Sequence, residues 1–153
     1  MPDTRSVVRA LYIYTFATLV EWPKEKRTGD FVIGVFGETA GVYSELNKKY
    51  SGKSIGSQKI VVKNYQSTKD ISDSHILYVT PENSKYIKTL VQTTIKENTL
   101  LVSEGAGGLT KGAIVNFIIE GNQQKYEINK SNAKKHKLVI ADKLSDLAAN
   151  VVK

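Results

Sequence analysis

The chain has 153 residues, of which 41% are hydrophobic and 24% charged, and its net charge is +7. This length and composition fit one compact domain with a sizeable core and argue against disorder. There is no cysteine, which excludes disulfides, thiolate metal sites and cysteine nucleophiles. No apolar stretch approaches the ~18 residues of a membrane-spanning helix.

The first predicted element is an apolar helix over residues 7–22 that ends before Pro23. Pro23 cannot continue the helical hydrogen bonds, and it moves Trp22 out of the helical conformation. The apolar residues recur at steps of mostly three or four along one face: Val8, Leu11, Tyr12, Phe16, Leu19, Val20 and Trp22. Because Ile13, Tyr14 and Ala17 widen that face almost to a full cylinder, we expect the helix to lie against a sheet.

Strands and helices alternate along the rest of the chain. Apolar runs predict strands at residues 30–36, 59–65, 75–80, 99–103, 113–120 and 124–129. Helical spacing predicts helices at residues 38–50, 81–97, 130–136 and 142–152. Gly121-Asn122 is a hairpin signal between the last two strands. This order predicts a single α/β domain over residues 1–153, with a mostly parallel sheet, an antiparallel hairpin edge and helices on both faces.

The start of the chain and its charge distribution suggest little about partners. No basic segment followed by a leucine-rich run and a cleavage site is visible, although a chain trimmed of its export signal would look the same. Residues 1–5 are expected to be a flexible start. One basic cluster stands out: Lys130, Lys134, Lys135, His136 and Lys137. An exposed helix end is favoured there over a phosphate-binding patch, and the lack of interleaved aromatic residues argues against a nucleic-acid partner.

Two groups of glycines invite a ligand interpretation. Gly34, Gly37 and Gly41 follow G-x-x-G-x-x-x-G rather than G-x-G-x-x-G, which favours a tight strand-to-helix turn over a dinucleotide site. The second group, Gly105, Gly107 and Gly108, follows a parallel strand, where ligands of open α/β sheets tend to bind. A tight turn is favoured there too, although exposed backbone N–H groups remain the alternative.

No catalytic or metal constellation is recognisable. His75 and His136 are the only histidines, and their positions suggest neither a metal site nor a triad. Ser103 and Glu104 lack a G-x-S-x-G context. Asn116 interrupts an apolar strand, where an unsatisfied buried amide would cost about 1–3 kcal/mol. It is expected to join the strand to a neighbouring loop, with lining of a pocket as the alternative. We therefore expect no enzyme activity, cofactor or metal.

Four segments together resemble the YfiR-like family of bacterial periplasmic proteins. They are residues 16–23 (FATLVEWP), 31–37 (FVIGVFG), 100–129 and 137–151 (KLVIADKLSDLAANV). The resemblance implies an exported, non-catalytic, single-domain α/β protein. It also implies binding to the periplasmic sensor part of a membrane diguanylate cyclase, which limits cyclic-di-GMP and biofilm formation. Related domains precede membrane sensor kinases. The cysteines that tie activity to redox state in the family are absent, so redox control is not transferred.

The leading hypothesis is thus a periplasmic regulatory module that binds a membrane-bound signalling protein, a diguanylate cyclase or a sensor kinase. The candidate contact residues match the family's motifs: Phe16, Glu21, Trp22, Gly107, Gly108, Asn116, Glu127 and Asn129. Pro23 and Phe117 match as well and look fold-defining. A homodimer is a further expectation, since the first helix can leave an apolar stripe uncovered. The alternative is a small-ligand sensor domain with the glycine loop and Asn116 lining its pocket.

Overall fold

An eight-stranded sheet forms the centre of the protein in a computed structural model that describes residues 4–37 and 41–153. In chain order the strands are β1 (Val20–Glu21), β2 (Phe31–Phe36), β3 (Ser54–Ile55), β4 (Gln58–Tyr65), β5 (Ile76–Val79), β6 (Leu100–Glu104), β7 (Val115–Glu120), β8 (Gln123–Asn129), β9 (Val139–Ile140) and β10 (Asn150–Val152). The main sheet has the order β10-β8-β7-β6-β5-β2-β4-β3, and β1 pairs with β9 in a separate antiparallel sheet.

The helices are α1 (Thr4–Leu19), α2 (Val42–Tyr50), α3 (Ile87–Glu97), α4 (Gly108–Lys111), α5 (Lys130–Lys135) and α6 (Asp142–Leu147). Single 3-10 segments lie at Lys24–Lys26, Thr68–Asp70 and Pro81–Tyr86. Pro81 occupies the first position of its segment, where a missing N–H costs nothing. Residues 1–3 of the predicted flexible start and residues 38–40 of the second predicted helix lie outside the described residues. Thr4 and Arg5 of that start belong to α1.

The predicted sheet architecture is confirmed. Strands β4, β2, β5, β6 and β7 are neighbours in that order and all parallel. The hairpin strand β8 is antiparallel to β7, and β3 is antiparallel to β4. The five parallel strands follow the doubly wound order 2-1-3-4-5, so helices cover both faces. Residues of α1, α2 and α6 enter one core cluster, and those of α3 enter the other.

Helix α1 packs against the sheet as predicted. Ile13 and Phe16 are fully buried, and Phe16 lies 5.1 Å from the ring of Tyr126 on β8. Leu11 faces outward and is 52% exposed. The helix ends at Leu19, three residues earlier than predicted, because the next two residues extend to pair with β9.

The predicted closing helix is wrong beyond residue 147. Helix α6 ends at Leu147, the backbone of Ala148 is extended, and β10 then pairs in parallel with β8. The free edge of β8 supplies backbone partners there, and β-branched Val151 and Val152 suit a strand. The predicted glycine loop also contains the single turn of α4.

Side chains alternate between the two core clusters along each central strand, which explains the unbroken apolar runs. On β5, Ile76 and Tyr78 belong to the first cluster, while Leu77 and Val79 belong to the second. Gly34 has a packing role, since a Cβ there would lie 2.6 Å from the ring of Tyr65. No helix in the described part of the chain has the length and apolarity to cross a bilayer.

Candidate functional site

A closed polar network holds the glycine loop at the end of β6. Ser103, Asn116 and Glu127 lie side by side on β6, β7 and β8. Asn116 is 1% exposed, and its Oδ1 accepts a hydrogen bond of 2.7 Å from the Ser103 hydroxyl. Its Nδ2 donates to the Gly105 carbonyl at 2.7 Å and to Glu127 Oε1 at 3.0 Å. The predicted joining of strand and loop is confirmed.

The network leaves no room for a larger residue at Gly108. A Cβ there would lie 2.1 Å from Ser103 Oγ and 2.4 Å from Asn116 Oδ1. Gly107 precedes it with a φ of 80°, a left-handed conformation that favours glycine, and a Cβ added to Gly107 would meet no atom within 4 Å. Gly108 and Asn116 are therefore interior residues, and the exposed loop tip consists of Gly105, Ala106 and Gly107.

A second buried cluster fixes the same strand end from the opposite face of the sheet. Arg9 on α1 and Glu104 on β6 form an ion pair of 2.7 Å, and the Tyr78 hydroxyl donates to the other Glu104 oxygen at 2.7 Å. Burial, followed by the negative charge of Glu104, raises the pKa of Tyr78 far above its ordinary value. This cluster was not predicted from the sequence, although Arg9 is a charged residue within an otherwise apolar stretch of the helix.

Two further predicted contact residues are structural. Phe16 belongs to an aromatic group with Tyr12, Phe117 and Tyr126. Asn129 caps α5, because its Oδ1 accepts a 2.8 Å hydrogen bond from the Asn132 N–H. Both residues are covered by other parts of the chain, fully for Phe16 and partly for Asn129.

Trp22 lies at the opposite end of the parallel strands, directly after β1. It is 5% exposed, and its Nε1 donates to the carbonyl of His75 at 3.1 Å. Its ring meets that of Phe31 edge to face at 5.1 Å, and Phe31 in turn stacks on His75 at 4.4 Å. These contacts anchor the end of α1 to the starts of β2 and β5.

An open cleft of about 350 Å³ lies beside Trp22. Glu21 and Arg27 line the cleft and form an exposed ion pair, with 3.4 Å between Glu21 Oε1 and Arg27 Nη2. The other lining residues come from the end of α1, from β1 and β2, and from the β3–β4 hairpin: Ala17, Thr18, Val20, Phe31, Ile55, Gly56, Ser57 and Gln58. Glu21 and Trp22 are the predicted contact residues that line it, which makes this cleft the candidate functional site.

His75 is held in its neutral form next to this cleft. Its Nδ1 accepts from the Val32 N–H at 3.1 Å, so its Nε2 carries the proton that it donates to the Lys26 carbonyl at 2.6 Å. Burial lowers the pKa of His75. Because both ring nitrogens form hydrogen bonds, neither nitrogen of His75 is free to bind a metal ion. Among the described residues, no group of three His, Asp or Glu side chains could hold a metal ion.

His136 is buried rather than exposed with the surrounding lysines. Its Nδ1 donates to the Asn132 carbonyl at 2.8 Å, and its Nε2 accepts from the Thr94 hydroxyl at 2.9 Å. Burial lowers the pKa of His136 as well. It lies 42 residues from Thr94 in sequence and joins α5 to α3. The predicted exposed helix end is thus confirmed for Lys134, Lys135 and Lys137, whereas Lys130 is half-buried at the start of α5 and His136 is buried.

A second cleft, of about 340 Å³, lies between the start of α1 and the β7–β8 turn. Val8 and Tyr12 give it apolar walls, while Arg5 and Lys125 give it positive charge. Tyr12 also donates to the Gln124 carbonyl at 3.3 Å, which ties the helix to the hairpin. Neither the glycine loop nor Asn116 lines this cleft.

Comparisons with known proteins agree with this description. A family model described as YfiR/HmsC-like matches residues 6–149. No curated protein matches the chain by sequence. A conserved domain protein from Vibrio cholerae has a similar solved structure, with a TM-score of 0.63 and 12% identity over 95% of this chain and 60% of that chain.

A second similar structure is an ABC domain from Streptococcus pneumonia, crystallised in complex with L-Trp. Its TM-score is 0.55, with 12% identity over 80% of this chain and 55% of that chain. The chain therefore spans between half and two thirds of the length of these two proteins. At this identity the likeness shows the fold alone.

Proposed function

Because the chain belongs to the YfiR/HmsC-like family, a family of periplasmic regulatory proteins, we propose that it binds the periplasmic part of a membrane signalling protein. A diguanylate cyclase is the partner that this family suggests, and a sensor kinase is the related choice. The module itself performs no chemistry in this proposal. Its binding changes the activity of the partner and thereby the level of cyclic-di-GMP and biofilm formation.

The open cleft beside Trp22 is the observation that carries the proposed contact site. Trp22 and Phe31 provide an apolar wall that is already rigid, because their rings pack on each other and on His75. Because Trp22 and Phe31 are only 5% and 1% exposed, they form the floor of the cleft, and a partner would contact mainly the exposed residues at its rim, such as Thr18 and Glu21. The ion pair of Glu21 and Arg27 at the rim adds polar groups that fix orientation.

The remaining predicted contact residues support this choice by their location. Asn116 and Gly108 are enclosed in the network at the other end of the strands, and Phe16 is in the core. Gly107 is exposed, but it lies at that other end as well. We therefore place the partner at the cleft, and self-association through the outward face of α1 stays a prediction.

A single substitution can fill the cleft without touching the core. Thr18 lines the cleft from an exposed position on α1, so Thr18→Arg places a long side chain in it. Thr89→Arg makes the same change at an exposed position of α3, on the opposite face of the sheet. We expect both variants to keep the fold because both positions are exposed, and both carry the same added charge.

The test is co-purification of the tagged, full-length chain with membrane proteins from detergent-solubilised membranes of its own host. We expect the unmodified chain and Thr89→Arg to recover a diguanylate cyclase or sensor kinase, and Thr18→Arg to recover at least tenfold less. Recovery of no such protein by the unmodified chain contradicts the proposed function. Equal recovery by both variants agrees with the proposed function but shows that the contact site lies outside the cleft.

Binding of a small ligand is the second candidate function. The two clefts fall within the size range of small-molecule sites, and the similar domain from Streptococcus pneumonia was crystallised with L-Trp. An aromatic amino acid would fit the second cleft, with its ring on Tyr12 and its carboxylate near Lys125.

A thermal-shift titration with L-Trp and other amino acids tests this candidate. A ligand at 100 times its dissociation constant adds about 2.7 kcal/mol of stability, which corresponds to a rise of roughly 5–10 °C for a domain of this size. Val8→Asp should abolish the shift if the second cleft is the site, whereas Thr18→Arg should abolish it if the cleft beside Trp22 is. A flat response to every amino acid rules out this class of ligand.

A further inference from the structure

The segment around α5 concentrates positive charge. Between Ile128 and Ala141 the chain carries four lysines and no acidic residue. Lys134, Lys135 and Lys137 are exposed, and Lys130 is half-buried. Val139 lies two positions after Lys137, beyond the buried Leu138, and is 60% exposed. We call the four lysines and Val139 the α5 patch.

The lysines of the α5 patch have no acidic partner within the described residues. The lysines that form ion pairs there are Lys26, Lys49 and Lys125. The acidic residue opposite the patch is Glu21, because Glu21 on β1 pairs with Val139 on β9 in the strand register. Glu21 already lies 3.4 Å from Arg27, so none of the described ion pairs neutralises a lysine of the patch, although Glu127 and Asp142 flank the segment in sequence.

The backbone at Lys137 indicates that this lysine does not serve the fold. Its φ is 59°, in the left-handed region that glycine and asparagine prefer at the end of a helix. Backbone bonds close the helix end there, since the Leu138 N–H donates to the Ala133 carbonyl at 3.0 Å. Glycine would make the same bonds with less strain, and Lys137 supplies charge instead.

We infer that the α5 patch binds the anionic phospholipid surface of a bilayer. Clustered lysines beside an exposed apolar side chain are the combination that holds a protein at an anionic membrane. Lysine carries a mobile point charge, which suits a diffuse layer of headgroups, whereas paired recognition of one phosphate or carboxylate group favours arginine. The α5 patch has four lysines and no arginine. This inference does not depend on the identity of the proposed protein partner.

Sedimentation of the full-length chain with vesicles tests the inference. One vesicle preparation contains phosphatidylglycerol and phosphatidylcholine in roughly equal parts, and the other contains phosphatidylcholine alone. We expect binding to the first preparation only, and binding should weaken as salt screens the charges. Each lysine near the membrane surface raises the partition coefficient between vesicles and water about fivefold, which is equivalent to about 1 kcal/mol of binding free energy. Lys134→Gln/Lys135→Gln/Lys137→Gln should therefore lower partitioning on the order of 100-fold.

A matched control separates the α5 patch from net charge. Lys63→Gln/Lys69→Gln/Lys88→Gln removes three exposed lysines elsewhere on the surface, and partitioning should change by less than about threefold because those lysines lie outside the patch. The single change Lys137→Gly should raise the melting temperature and lower partitioning about fivefold.

Three results would overturn the inference. One is equal binding to both vesicle preparations, and another is an equal loss in the two triple variants. The third is capture of an acidic protein through the patch without any binding to vesicles.

Discussion

The two ends of the parallel strands carry polar clusters of opposite kinds. At the glycine loop, Asn116 uses its acceptor and both donors inside the protein. At the other end, Glu21 and Arg27 pair with each other in solvent above an open cleft. Residue types alone did not distinguish the closed cluster from the open one, since Asn116, Glu127 and Glu21 all match motifs of the family. The difference shows that family-matching polar residues mark the fold at one end and an accessible surface at the other.

The largest expected effect is at the closed end, for Asn116→Asp. The carboxylate replaces an amide that donates to Gly105 and Glu127, and it places a second acid 3.0 Å from Glu127. Two lost hydrogen bonds and a buried like-charge contact should cost about 3 kcal/mol or more. Urea unfolding measures this loss. Ser103→Ala, which removes one donor to Asn116, should cost only about 1 kcal/mol, and equal losses would mean that the network is not closed.

The next effect is at Gly108. Gly108→Ala forces its methyl group into Ser103 and Asn116, which are fixed by the network, so we expect a loss of about 2–3 kcal/mol in the free energy of unfolding. Gly107→Ala is the matched change in the same loop. It meets no atom and adds only backbone strain, at a cost of about 1 kcal/mol. A reversed order of the two would show that the loop can move away from the network.

A smaller expected effect is the pH dependence of the free energy of unfolding that His75 causes at the open end. The pKa of His75 is lowered in the folded protein by burial, below its ordinary 6.5. The unfolded chain therefore binds protons more readily, and stability is fully present above about pH 6.5 and falls as the pH drops below it. The slope is at most about 1.4 kcal/mol per pH unit for each such histidine.

Unfolding at pH 7.5 and pH 5.0 measures this dependence. His75→Gln should be less stable at pH 7.5 yet flatter with pH than the unmodified chain. The pKa of His136 is lowered in the same direction, so part of the slope should remain in that variant. An unchanged slope would show that His75 already binds a proton in the folded state.

The smallest effect belongs to the open end itself. Glu21→Gln breaks an ion pair whose side chains are 69% and 55% exposed, and such pairs contribute about 0–1 kcal/mol. We expect the free energy of unfolding to change by less than about 0.5 kcal/mol. If the cleft is the contact surface, recovery of the membrane partner should fall even so. A loss of stability as large as that of Asn116→Asp would remove the contrast between the two ends.

Much of the fold could be predicted because its patterns are local. The apolar face of α1, the buried strands and the Gly121-Asn122 turn depend on residues close in sequence, and each was found within a few positions. The mostly parallel direction of the strands followed from the alternation of strands and helices, whereas the order of the strands in the sheet was not predicted. The role of Asn116 was also predicted, because a buried amide on an apolar strand must find partners.

The features that were not predicted depend on partners that are distant in sequence. Strands β1 and β9 have two residues each and exist because they pair with each other. Strand β10 forms because β8 has a free edge. Arg9 was given no role from the sequence, because its partner Glu104 lies 95 residues away. Lys26 was given none either, although its amine donates to the carbonyls of Ser74 and Glu97.

The contacts of α1 also bear on how the chain folds as it is made. Its partners are spread along the chain: Tyr14 stacks on Tyr50 of α2 at 4.6 Å, whereas Glu104 follows Arg9 by 95 residues and Gln124 follows Tyr12 by 112 residues. In a chain made from its N-terminus, α2 can cover part of this apolar helix early, but the face toward β8 stays uncovered until most of the chain has been made. Contacts of such long range slow folding and prolong exposure to aggregation. The face of α1 that meets β8 is therefore the surface on which we expect a holding chaperone to act during synthesis.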